Sequence, residues 1–293
     1  MRHPTAFHAA RPSLRSPVTR IWLPGAGAAG FVYAFIARDA RGCGLEGAAR
    51  LNRFPAGAYC SINWFLDGRV DIVAHGGDTV RRPVARCAVG GCQTAPFASE
   101  NEGDVHAFIA MFYPDAFHAL FGVDLAALQN RFVDALEVLP VHATALLDAV
   151  FAAGDDDARR RAIEDFVARH GQAAALPVWT RMRRLGGRLT LALASKLLGV
   201  GPRQLQRVAL RQAGASLQTT LRLWRGQRSF LLAQRAYFAG RKVDMADHAL
   251  ANDYADQSHM VRDCKRDRTH ADAARARRRA GRSRLDLPTG APP

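Results

Sequence analysis

No apolar run in these 293 residues approaches the roughly 20 needed to cross a bilayer, so no membrane-spanning helix is expected. Cysteine is sparse. Cys43, Cys60, Cys87, Cys92 and Cys264 are odd in number and irregularly spaced, unlike the paired framework of a small secreted protein, and a reducing cytoplasm is the simplest setting. Cys87 and Cys92 have the spacing of a metal half-site, but no second Cys/His pair accompanies them and a structural zinc site needs four ligands. No metal and no cofactor are expected. His75, His106, His118 and His142 are scattered, and no serine, cysteine or carboxylate pair has a spacing suited to nucleophilic or acid/base chemistry. The chain is therefore not expected to be an enzyme. Internal repeats at solenoid periods are also missing.

The scarcity that decides most is of acid in the second part of the chain. Residues 177–293 hold 24 Lys+Arg against 8 Asp+Glu, whereas residues 1–176 hold 17 against 18. All the excess positive charge lies in one region, and nucleic acid is the first partner to consider. Lysine is rare as well: only Lys196, Lys242 and Lys265 among 41 basic residues. Arginine favours bidentate contacts, although codon bias in a GC-rich genome produces the same preference.

Arg2, Arg11, Arg15 and Arg20 stand without an acid in the first twenty residues, and Pro4, Pro12 and Pro17 interrupt any helix there, so residues 1–20 read as a disordered tail. Strand signals dominate from Phe31 to about Phe112, with aromatic and β-branched runs at Phe31–Ile36, Tyr59–Leu66 and Val105–Phe112. Asp67-Gly68 has the form of a two-residue hairpin loop joining Cys60–Leu66 to Arg69–Val73. After Pro114 the period becomes helical. Phe117, Leu120 and Phe121 share a face, Gly122 ends that helix, and Asp124 is placed to cap another through Leu139. Helices at His142–Ala152 and Asp155–His170 follow, the latter opened by three aspartates that suit the positive end of its dipole. An α+β domain over residues 21–172, a small antiparallel sheet or barrel plus helices, is the expected result.

An all-α domain over residues 177–272 should follow it. From Thr190 a short helix with Leu193, Ala194 and Leu197 on one stripe runs into Gly199-Val200-Gly201, and Pro202 then suits the first turn of a second helix. Leu205, Val208 and Ala209 face inward on that helix, leaving Arg203, Gln206 and Arg207 outside. Downstream, Asp244–Ala251 is a short helix, Asn252–Ala255 a turn, and Asp256–Arg266 a second polar-faced helix with Asp256 as its cap. Met260 and Cys264 pack inward there and Gln257, Ser258, His259 and Arg262 point out. Both stretches have the helix-turn-helix pattern. Leu217–Phe238 between them reads as one long helix, with Trp224, Phe230, Leu231 and Phe238 along its buried face.

Tyr254–His259 followed by Arg262 and Lys265-Arg266, together with Leu205–Arg207 and Leu221–Arg225, resembles the AraC/XylS family of bacterial transcription regulators, from about Leu189 to Lys265. The resemblance implies two helix-turn-helix units joined by a long helix, with Arg203, Gln206 and Arg207 approaching one stretch of major groove and Gln257, Ser258, His259 and Arg262 the next. It also implies an effector-responsive or dimerising amino-terminal domain, and RNA polymerase as a partner if the protein is an activator. The chain departs from the family at three places: Asp253 stands where the second turn has glycine, Cys264 replaces an aromatic core residue, and Thr269 and Asp272 occupy the site of a Gly-x-x-Pro ending. Residues 273–293 read as a basic, disordered tail, with a nonspecific phosphate-binding arm as the alternative reading of the Arg275–Arg284 run. The expected function is thus a sequence-specific, double-stranded-DNA-binding regulator, cytoplasmic, monomeric or homodimeric. The competing readings are an enzyme with a catalytic amino-terminal barrel and a nonspecific nucleic-acid-binding protein.

Overall fold

Strands β1 (Phe7–His8), β2 (Val18–Trp22), β3 (Val32–Asp39), β4 (Leu51–Phe54), β5 (Cys60–His75), β6 (Asp78–Pro83), β7 (Cys87–Gly90), β8 (Phe97–Phe112) and β9 (Phe132–Asp134) form one antiparallel sheet. The computed structural model describes residues 7–8, 16–171, 196, 199, 201–238 and 242–267. The sheet is organised by β5 and β8, 16 residues each, which pair from Cys60↔Phe112 to His75↔Phe97. Beyond β8, β3 flanks one half of this ribbon and β4 the other; beyond β5 the flanking strands are β7 and β6. No pairing joins β1 to β9 among the described residues, so the sheet is open rather than a closed barrel.

Three sequence expectations are corrected here. Asp67-Gly68 does not turn the chain: β5 runs straight through it, and the pairing with β8 shifts register around Phe65, Asp67 and Arg69. Gly68 has φ +77 and an added Cβ would lie 2.0 Å from the Asp104 carbonyl oxygen, which makes this a β-bulge held against the partner strand. Hairpin turns and glycine bulges use the same positive φ, and the long partner strand decides between them. The helix expected from Asp124 through Leu139 is also absent. Turns occupy 125–130, Phe132–Asp134 pairs with β7 as β9, and only α2 (Ala135–Val138) is helical. An available sheet edge outweighs helical propensity for Phe132 and Val133. Finally, the sheet begins ahead of residue 21, because Val18–Arg20 pair with Asp39–Ala37 in the stretch expected as a tail.

The main core lies between the sheet and α1 (Pro114–Phe121), α3 (Thr144–Ala152) and α4 (Asp156–His170). Trp64, Phe35, Phe108, Phe112, Phe117 and Phe166 are all buried within it. Gly122 ends α1 in the left-handed region, and His142 and His170 stack beside Phe166. Asp155 caps α4, its Oδ1 accepting from the Ala158 amide at 2.7 Å, with Asp156 and Asp157 in the first turn. Asp155→Ala should lower stability by about 1 kcal/mol in a urea titration, with an unchanged denaturant slope.

The helical part comprises α5 (Pro202–Ala213), α6 (Leu217–Phe238), α7 (Met245–Ala251) and α8 (Gln257–Asp267). The helix expected before Gly199 lies largely outside the described residues, as do Thr269, Asp272 and the 273–293 tail. α6 meets the sheet domain through side chains of small size: Ala56, Ala58, Cys92 and Ala215 pack with Leu223 and Trp224. Among the described residues, α5, α6 and α8 each bond to the sheet domain: Leu125 N to Arg211 O at 2.9 Å, Trp224 Nε1 to Ala58 O at 3.3 Å and Ala56 N to Asp267 O at 3.0 Å.

Candidate nucleic-acid interface

α5 starts at Pro202 after Gly201, whose extended backbone sets the helix entry, and closes at Gly214 with φ +67. Leu205, Ala209, Ala213 and Leu217 form a buried stripe against Val208, Leu221 and Trp224. Apolar residues at this spacing fix the rotation of α5, so Arg203, Gln206 and Arg207 stand exposed on the opposite face, joined by Arg211.

α7 and α8 are connected by a tight turn. Asp244 accepts from the amides of Ala246 and Asp247 to start α7, and Asp256 Oδ1 accepts from the His259 amide at 2.6 Å to start α8. Asp253 takes φ +62 in that turn, the strained position the sequence pointed to, and its carboxylate lies 3.9 Å from Arg228. Asn252 is buried and donates to His248 O at 2.8 Å. Met260 packs with Ala249 and Tyr254, and Cys264 closes the edge of this small core.

The inward face of α8 carries two residues that sequence reasoning missed. Asp263 and Asp267 are buried, and they pair with Arg225 (2.8 Å) and Arg222 of α6. Burial raises the Asp267 carboxyl above its ordinary range, partly offset by its hydrogen bond to Arg222. The Arg225 guanidinium also lies 4.6 Å over the Tyr254 ring, whose hydroxyl is pushed up to about 12 by burial. The i, i+3 and i, i+4 spacing of Met260, Asp263, Cys264 and Asp267 was the available signal, but acids on a basic helix read as solvent-facing when judged by polarity alone.

The arginines therefore sort into two sets. Arg222, Arg225 and Arg228 of α6 are turned toward aspartates, while Arg203, Arg207 and Arg211 of α5 and Arg262, Lys265 and Arg266 of α8 are exposed and form no ion pair among the described residues. Gln257 and Ser258 are exposed beside Arg262. His259 differs: it is half-buried, edge-on to Tyr254 at 5.4 Å, takes a hydrogen bond from the Ala255 amide at Nδ1 and lies 3.7 Å from Asp263. Trp224 and Phe230 are partly buried along α6, as expected of its packing face; the side chains of Leu231 and Phe238 lie outside the described set.

Elsewhere the chemistry is quiet. Cys87 and Cys92 are buried, with burial pushing both thiols up to about 12, and no group of three or more His, Cys, Asp or Glu is arranged for a metal among the described residues. His118 Nδ1 and His142 Nε2 meet the carbonyls of Val123 and Leu120. No described helix is long and apolar enough to cross a membrane.

Residues 58–134, from just before β5 to the end of β9, match the family model described as a domain of unknown function, DUF6597. No curated protein matches the chain. Among solved structures, an apo variant of ToxT from Vibrio cholerae strain SCE256 is similar at 10% identity and TM-score 0.45, covering 83% of this chain and 94% of that one. Wild-type ToxT bound to an unsaturated fatty acid is similar at 10% identity and TM-score 0.40, over 74% and 88% of the two chains. Hydroxypropylphosphonic acid epoxidase from S. wedmorenis is similar at 10% identity and TM-score 0.25, over 32% of this chain and 49% of that one.

Proposed function

We propose that the helical part is a sequence-reading, duplex-DNA-binding domain of the AraC/XylS type, and that the whole chain is a transcription regulator rather than an enzyme. In this reading α5 and α8 are the recognition helices of two helix-turn-helix units. Arg203, Gln206 and Arg207 enter one stretch of major groove, and Gln257, Ser258 and Arg262 the next. His259, tied to Tyr254 and Asp263, orients the start of α8 and reaches phosphate rather than a base edge.

The observation that carries the proposal is the sorting of the arginines. Guanidinium groups engaged by carboxylates have little left for phosphate or base, whereas those on α5 and α8, which form no ion pair among the described residues, keep donors for both. Arginine meets guanine O6 and N7 together and glutamine meets adenine N6 and N7, which gives these residue types their value on an exposed helix face. The length of the linking helix supports this reading: 22 residues of α6 at 1.5 Å each span about 33 Å, close to one turn of B-DNA at about 34–36 Å.

A gel-shift titration on the protein's own upstream region tests this. Arg207→Ala and Arg262→Ala should each reduce discrimination between matched and mismatched duplexes by about 1–3 kcal/mol. Loss of one arginine from the 275–284 run should instead weaken binding to all duplexes alike and flatten the salt dependence. Wild-type binding that is equal for every duplex would overturn the proposal.

A further inference from the structure

We propose that Leu210 on α5 and Val261 on α8 are specificity-determining residues that read the 5-methyl group of thymine, one in each stretch of major groove. The proposal rests on the reading of both helices as major-groove readers and adds an apolar contact to the polar ones given above.

Both side chains interrupt a polar surface. The outward face of α5 carries Arg203, Gln204, Gln206, Arg207 and Arg211, all exposed, and among them one aliphatic residue, Leu210, which is 40% exposed. Leu210 follows Gln206 by four residues and Arg207 by three, so helical period stands it beside them. The outward face of α8 repeats the arrangement. Val261, half-buried, follows Gln257 by four residues and Ser258 by three, and precedes Lys265 by four.

Neither residue belongs to the core. α5 packs through Leu205, Ala209 and Ala213, and α8 through Met260 with Cys264 at the edge; among the described residues Leu210 and Val261 join neither cluster. A lone aliphatic side chain on a surface is ordinary and by itself points to nothing. Here the same placement occurs twice, each time one helical turn beyond a glutamine and among side chains suited to phosphate and base edges.

Duplex DNA supplies the matching group. Thymine presents a methyl in the major groove next to its O4 acceptor, and apolar side chains meet it there directly. The cations around both residues suit a polyanion, which favours DNA over an apolar protein partner for these two positions. Spacing adds a constraint. Side chains four residues apart on a helix lie about 6 Å from each other and base pairs about 3.4 Å, so each thymine should fall within about two base pairs of the adenine met by Gln206 or Gln257.

The test uses the tightest duplex that the full-length protein selects from a random pool. Each thymine is replaced in turn by deoxyuridine, which removes the methyl and keeps the hydrogen-bonding edge. The two windows are told apart by the positions at which Arg207→Ala and Arg262→Ala relax discrimination. Wild-type protein should bind about fourfold more weakly on substitution of one thymine in each window, the loss expected for one buried carbon. Leu210→Ala should abolish the penalty in the α5 window and keep the one in the α8 window, and Val261→Ala should do the reverse. Alanine favours a helix at both positions, and the ratio of thymine to deoxyuridine binding is internal to each variant, so a general loss of affinity does not imitate the effect. Sequence-selective binding that ignores deoxyuridine, or a penalty that survives in the matching alanine variant, would overturn the assignment and leave the two helices as readers. Equal binding of every duplex would defeat both.

Discussion

Asp263→Ala should detach α8 from α6 while α5 stays in place. The Asp263 carboxylate holds Arg225 at 2.8 Å, and the two side chains are only 12% and 17% exposed. Breaking a buried pair by removing one partner costs about 3–5 kcal/mol, because the remaining charge is left without compensation. The lower end applies here, about 3 kcal/mol, since Arg225 keeps the Tyr254 ring beneath it. The loss should be local. Hydrogen exchange would accelerate for amides of α7 and α8, with α5 and the sheet protected as before, and the protected DNA window should shorten from two successive major-groove segments to one. Replacing both partners, Arg225→Met with Asp263→Leu, should recover most of the stability. Unchanged exchange in α8 would show that the pair does not hold that helix.

Gly68→Val should destabilise the sheet domain by about 3–4 kcal/mol. Two costs combine. A residue with a Cβ pays about 1–2 kcal/mol in the left-handed region, and here the new atom would meet the Asp104 carbonyl at 2.0 Å, an overpacking of about 1–3 kcal/mol. Gly103 also has positive φ but nothing lies near its Cβ position, so Gly103→Ala isolates the conformational cost alone. Chemical denaturation of the two variants separates the terms. Equal losses would mean that the close approach of the strands at Gly68 contributes nothing.

This bulge illustrates how far the sequence could be read. Asp-Gly between β-branched runs names a positive φ but not whether the chain reverses, because the answer depends on β8, thirty residues away. The same holds for Phe132 and Val133, whose strand exists only because β7 offers an edge. Helical features were more legible because their causes are local. Asp256 makes the cap bond expected of it, Asp155 and Asp244 cap the helices that the sequence starts at them, Leu217–Phe238 is a single helix, and Asp253 adopts the positive φ that its position implies. Exposure of Arg203, Gln206, Arg207, Gln257, Ser258 and Arg262 followed from helical period. What period could not supply was the partner of each charge: the acids of α8 that engage the α6 arginines lie 38 and 45 residues away in the chain.

The boundary between the sheet domain and the helical part has an asymmetry in what can disrupt it. The cross-links to Arg211 of α5 and Asp267 of α8 run from one main chain to the other, so no side-chain deletion removes them, and the alanines packed there have little to lose by truncation. Bulk is a different matter: an added Cβ at Gly214 would sit 3.0 Å from the Leu125 carbonyl oxygen and 3.2 Å from Cys92 Cβ. The joint thus tolerates erosion and resists growth, so a wedge the size of a few methyl groups, from a substitution or from a neighbouring segment pushed inward, is the kind of change that would prise the two halves of the molecule apart.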